Sequence, residues 1–256
     1  MKYINDVTKD CVGKVFTSKL SGDFKIVKYN GATDVEIQFL KTGFEMVSQL
    51  IAIRNGNVKD RYLPSVCGVG ILGAKYPSEI NGIRTREYGL WKRMLERCYS
   101  DKYQKKYPTY EDCEVSDNFK SYEYFYEWCN NQVGFSNQGW HLDKDLLMKS
   151  NKIYSESACV FIPQEINKVL VKHEASRGKH LIGVCWCKTH KAFKAQVNRN
   201  KGGLGHLGYF KTEIEAFKAY KQAKESLIKE LAEKWKSQID ERAYEALMNY
   251  TVEITD

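Results

Sequence analysis

At 256 residues, of which 43% are hydrophobic, the chain can bury a core without covalent staples and is longer than one average domain. A charged fraction of 28%, a net charge of +8 and an aromatic content of 13% exclude a disordered chain and describe a globular protein that meets anions. No apolar run approaches the ~20 residues that cross a bilayer, and the opening MKYINDVTKDC lacks the apolar stretch of a secretory signal, so a cytoplasmic protein without a membrane partner is expected.

Of the eight cysteines, Cys11, Cys67, Cys98, Cys113, Cys129 and Cys159 are scattered among apolar and aromatic neighbours, which suits a reducing compartment better than a disulfide framework. The close pair Cys185 and Cys187 has one intervening residue. In a strand that spacing puts both on one face and is not the Cys-x-x-Cys spacing of zinc or redox sites.

Taken in chain order, the α+β reading is multidomain. Residues 1–60 form a small β module, because VGKVF, FKIVKY and DVEIQFL are strand-like and Asn30-Gly31 signals a hairpin between the last two. Residues 61–84, with Pro64, Gly68, Gly70, Gly73 and Pro77, read as a Gly/Pro-rich linker. Its GVGILG lacks the Lys-Ser/Thr of a phosphate loop.

Residues 85–176 hold a helical region followed by a ββα segment. Leu90, Trp91, Met94, Leu95 and Cys98 recur at helical spacing, as do Phe119, Tyr122, Phe125, Tyr126 and Cys129, and these aromatics read as core. From Trp140 to Leu170 the order is loop, the apolar strand CVFIP, and a helix opening near Pro163. Residues 177–256 read as three strands, LIGVCWC, FKAQVN and HLGYF, then a long helix with a Thr212/Glu215 capping box and an apolar stripe from Phe217 to Trp235. A last short helix lies around Ala243 to Tyr250.

Charge is concentrated. Residues 168–211 carry ten bases against the single acid Glu174, hence +9, and the rest of the chain nets −1. A polyanion partner is therefore expected for one region. Within FKAQVN, alternation puts Phe193, Ala195 and Val197 on one face and Lys194, Gln196 and Asn198 on the other. Lys reaches phosphate, while Gln and Asn hydrogen-bond adenine edges, so such a face can both position itself on a duplex and read it.

GVCW, FKAQV, LGYF, TEIEAFKAY and Ala223-Lys224 resemble the three-strand-plus-helix DNA-binding domain of plant ethylene-response factors and its phage relatives, over about residues 177–235. That resemblance implies a sheet in the major groove of double-stranded DNA, braced by the helix, with Lys188, Lys194, Gln196, Asn198 and His206 facing the duplex. The charge adds Arg177, Lys179, Lys191, Arg199 and Lys201 as DNA-binding candidates. Ile182, Cys185 and Cys187 stand where plant members have arginines, so base preference does not carry across.

His141-Leu142-Asp143 and Tyr154-Ser155 resemble a degenerate HNH nuclease motif of phage homing endonucleases. The resemblance implies His141 as general base beside Mg²⁺ or Mn²⁺. Two metal-holding positions of that motif are Trp140 and Ala158, which cannot ligate a hard cation; Asp143, Asp145, Asn151 and Asn167 are the candidate replacement ligands. Three functions follow: a phage-type duplex-DNA binder in the cytoplasm of an infected bacterium, a metal-dependent endonuclease or nickase, or a phage protein that occupies a host or defence protein.

Overall fold

The computed structural model describes residues 9–171, 178–198 and 203–255. The fold is α+β, with several small sheets, and divides into two compact units, Met1–Tyr126 and Glu127–Asp256.

The first unit opens with an antiparallel meander of β1 (Val15–Ser18), β2 (Gly22–Gly31), β3 (Asp34–Phe39) and β4 (Glu45–Ser48), followed by the short helix α1 (Leu50–Arg54). Alternation buries Phe24 and Ile26 of β2 with Val35, Ile37 and Phe39 of β3, and Ile53 and Val58 join the same cluster. The expected hairpin forms, but two residues later than the sequence signal. Gly31 pairs with Asp34 across the turn Ala32-Thr33, and the register shifts between Tyr29 and Gly31, where Asn30 donates its side-chain N–H to Glu36.

The stretch 61–84 is no linker. Its β5 (Glu79–Ile80) and β6 (Ile83–Arg84) make a small hairpin, and Ile71 bridges to Ser121. A Cβ on Gly70 would sit 2.4 Å from Leu95 and 2.9 Å from Trp91, so this glycine lets the backbone lie against a helix rather than bend freely. That helix is α2 (Arg86–Tyr99), capped by Thr85 and burying Trp91, Met94, Leu95 and Cys98. The unit continues through α3 (Asp101–Lys106), β7 (Glu114–Val115) and α4 (Asp117–Lys120). Four of the five aromatics expected as core are core: Trp91, Phe119, Tyr122 and Phe125 are fully buried, and the Trp91 indole donates to the Phe119 carbonyl, whereas Tyr126 is half-buried and stacks on Tyr76 with ring centroids 3.9 Å apart. Helix α5 (Tyr122–Asn130) runs across the division between units.

In the second unit, β8 (Trp140–Asp143), β9 (Ile153–Tyr154), β10 (Val160–Pro163) and α6 (Gln164–Leu170) follow in order. β8 pairs antiparallel with β10, His141 opposite Ile162, and α6 packs on both strands. Every residue of β10 is buried, which explains a strand written VFIP without alternation. Then β11 (Val184–Cys187), β12 (Ala192–Asn198) and β13 (Leu204–Phe210) make an antiparallel sheet in that order, and α7 (Glu213–Trp235) lies across it. The capping box forms as expected, Thr212 and Glu215 each accepting the other's backbone N–H.

Val197, Phe217, Tyr220 and Val252 centre the core beneath the sheet. The far half of α7 meets the ββα segment. Trp235 crosses Trp140 edge-on at 5.8 Å and donates its indole N–H to Glu165, while Lys224 donates to the Val169 carbonyl near the end of α6. α8 (Glu241–Met248) docks on α7 through Ala243 and Leu247. Among the described residues, no helix is long and apolar enough to cross a membrane.

Gly183, immediately before β11, has φ +74°, and a Cβ there would lie 2.0 Å from the Tyr220 ring. Gly183→Ala should cost about 2–4 kcal/mol, the sum of left-handed strain and overpacking. Gly203→Ala, at φ +69° with open space around it, should cost only the strain, about 1–2 kcal/mol. Comparison of the two by urea unfolding checks the sheet-to-helix contact.

Burial pushes the Lys224 ammonium down to about 8. Between about pH 8 and 10 the folded chain has released this proton while the unfolded chain still holds it, so stability gains with rising pH. Buried Cys159, pushed up to about 12, acts in the opposite sense above its ordinary 9.0. Unfolding curves of wild type and Lys224→Met at matched pH cancel that contribution, and the wild type should gain on the variant across the window.

Candidate nucleic-acid interface

The sheet of the second unit has one covered and one open face, and β12 decides which is which. Ala195 and Val197 are buried beneath the sheet on the α7 side, whereas Lys194 and Gln196 are half-buried and Asn198 is exposed on the other. Strand pairing extends the open face sideways. Cys185 lies opposite Lys194, and Cys187 opposite Ala192. On the other flank Tyr209 lies opposite Lys194 and His206 opposite Gln196.

His206 and Tyr209 are three residues apart, a spacing that in a regular strand puts side chains on opposite faces. A register shift between Ala195 and Gln196 removes the conflict, because Leu207 turns into the core and both rings share the open face, 4.8 Å apart. The turn from β11 to β12 completes the surface. Lys188, Thr189, His190 and Lys191 are all exposed, Lys191 at φ 46°, and His190 stacks on Tyr209 with ring centroids 3.9 Å apart.

Of the expected contacts, Lys188, Lys191, Lys194, Gln196, Asn198 and His206 are therefore brought to one surface. Lys179 is exposed in the segment leading into the sheet, beside His180, which contacts Glu213 at 3.3 Å. Arg177, Arg199 and Lys201 lie outside the described residues. Tyr209 and His190 were not legible as members of the face. Their signal is the bulge and the turn, which no alternation rule anticipates. Ile182, one of the departures from the plant pattern, packs against the α7 core.

A second basic surface escaped segment-by-segment counting of charge. Arg84, Arg86, Lys92 and Arg93 line an open cavity of about 370 Å³ at the start of α2, with Glu96, which pairs with Lys92 at 3.5 Å, as the one acid. It belongs to the first unit.

The ββα segment brings two candidate residues together: the Asn167 amide on α6 lies 2.9 Å from Nδ1 of His141 on β8. The other three are committed to the loop after β8. Asp143 accepts the backbone N–H groups of Asp145 and Leu146, and burial, the largest influence on it, raises its carboxyl above the usual range. Asn151 donates to the carbonyls of Lys144 and Ile153 and accepts the Ile153 N–H. Lys144 is buried, and its ammonium lies 2.6 Å from Asp145, 2.5 Å from the Asn151 carbonyl and over the Tyr154 ring.

A divalent metal therefore does not fit this donor set. The position before His141 is the buried indole of Trp140, Ala158 is buried and has no donor, and the carboxylate of Asp145 already faces an ammonium. Among the described residues, no three His, Cys, Asp or Glu side chains form a group able to hold an ion. No family model, no curated protein and no solved structure matches the chain.

If Lys144 is the cation that organises the loop, Lys144→Ala should destabilise the protein by about 1–3 kcal/mol, the scale of losing charged hydrogen bonds whose acceptor Asp145 stays solvated. The melting temperature of the wild type should be the same in Mg²⁺ and in a chelator. Thermal unfolding in both buffers checks each point.

Proposed function

We propose that this chain is a double-stranded DNA-binding protein that lays the open face of its C-terminal sheet against the major groove, and that the HNH-like ββα segment serves as scaffold. The observation that carries this reading is the placement of Lys194, Gln196 and Asn198 on the face turned away from α7, beside His206 and flanked by Lys188 and Lys191. The outer strand axes of a three-stranded sheet stand about 10 Å apart, comparable with a major groove about 12 Å wide. Lysines on the rim neutralise phosphate, and Gln196 and Asn198 offer the paired donor and acceptor that an adenine edge presents in the groove. On this reading the protein resembles phage relatives of the ethylene-response-factor domain and works in the cytoplasm of an infected bacterium.

Affinity for a duplex should fall about a hundredfold between about 50 and 200 mM salt, the result of displacing some four counterions. The triple change of Lys188, Lys191 and Lys194 to Ala should flatten the slope of log K against log salt by about 2.7. Gln196→Ala should leave the slope intact and cost about 1–3 kcal/mol only on sites with an adenine at the contacted position. A slope unchanged by the triple substitution, or equal affinity for single strands, would remove the sheet from the interface. The same samples, incubated with supercoiled DNA and Mn²⁺, should leave it uncut; nicking lost in His141→Ala would make the ββα segment a nuclease centre instead.

A further inference from the structure

We propose that Cys187 is a site of reversible thiol oxidation by hydroperoxides, ending in a mixed disulfide with a small anionic thiol that weakens DNA binding. The second half rests on the reading given above; the first does not.

Cys187 closes β11 on the open face, and its Sγ lies 3.3 Å from Nδ1 of His190 in the following turn. The backbone N–H groups of His190 and Thr189 also point at the sulfur, and the Tyr209 hydroxyl reaches it while His190 lies flat on the Tyr209 ring. The sulfur thus ends a turn whose donors all favour its anion, led by the backbone N–H of His190 and then its imidazole, and they hold the thiol below its ordinary range. The charged neighbours on the same hairpin are Lys188, Lys191 and Lys194, and no acidic residue occurs between Glu174 and Glu213.

The other thiols differ. Cys11, Cys98, Cys113, Cys129 and Cys159 are buried, and burial raises the Cys67 thiol. Cys185, two residues back on the same face and equally half-exposed, stands opposite Lys194 rather than at the turn, which makes it an internal control.

The step balances. The Cys187 thiolate attacks one peroxide oxygen, the S–O bond forms as the O–O bond breaks, and the departing oxygen takes a proton from the solvent. Sulfur is oxidised by two electrons to the sulfenic acid, and the peroxide is reduced by two to water or an alcohol. A small thiol then displaces water from the sulfenic acid to give the mixed disulfide, and a second thiol returns Cys187 to its reduced form. Glutathione in this position would set carboxylates among the three lysines, where a phosphate would otherwise sit.

The test uses the full chain. In the first part, iodoacetamide labelling near neutral pH is followed at all eight cysteines by peptide mass spectrometry. Cys187 should react about tenfold faster than Cys185. His190→Ala and His190→Gln should both slow it severalfold toward the Cys185 rate, the backbone N–H groups of the turn remaining in place, and a merely exposed thiol would show no such slowing. Equal rates in the wild type, or no change in either variant, would overturn the site.

In the second part, protein treated with hydrogen peroxide and glutathione is titrated with duplex before and after dithiothreitol. An affinity loss of about tenfold, restored by the reductant, is expected. Glutathionylated protein that binds as tightly as reduced protein would overturn the regulatory half. If reduced protein binds no duplex, the DNA reading falls and the regulatory half with it, while the labelling still decides the thiol site.

Discussion

The alternation of β12 against α7 is the constraint on which the second unit turns. Ala195 and Val197 pack down beneath the sheet, where Phe217 and Tyr220 of α7 join the core, and Gly183 gives up its Cβ so that the Tyr220 ring can approach. A slip of one residue would carry Lys194 and Gln196 into that core and expose the two apolar side chains. Burying an ammonium without a partner costs several kcal/mol, far more than any single contact on the open face contributes. The polar face is therefore set by what its opposite side excludes.

α7 also explains why two segments that read as separate domains fall in one unit. At 23 residues it is about 34 Å long. Its first turns back the sheet, Lys224 caps the carbonyl end of α6, and its last turn holds Trp140 and Glu165 of the ββα segment. The buried indole of Trp140 is thus used for docking. Lys144 and Asn151 order the loop from within, so the segment keeps its shape through an ammonium and an amide.

Much of this was legible from residue spacing. The strands of the β module, the aromatic cores of α2 and α5, the capping box and the two faces of β12 all follow from periods of 2 or 3.6 and from cap chemistry. What escaped has a common cause, which is that it depends on contacts distant in sequence. Glycines at 70 and 73 resemble punctuation, yet Gly70 lies against Trp91 and Gly73 against Glu123. The Asn30-Gly31 signal sits two residues before the actual turn, and Asn30 itself is taken up by a bulge. Asp143, Asp145 and Asn151 have the composition of a cation site, and only their hydrogen bonds reveal that the loop itself consumes them.

Charge behaves the same way. Counting along the chain isolates residues 168–211 as basic and averages the remainder to near neutrality. Yet Arg84, Arg86, Lys92 and Arg93 converge on one cavity of the first unit, since positions 86, 89 and 93 of a helix share a side and the hairpin before it adds Arg84. The bulge in the C-terminal sheet does for aromatic rings what that helix does for arginines. By shifting the register after Ala195 it turns His206 and Tyr209 the same way, and Tyr209 in turn gives His190 a ring to stack on and so places an imidazole beside Cys187. One irregular pair in a ladder thus determines both the aromatic content of the open face and the chemistry of its thiol.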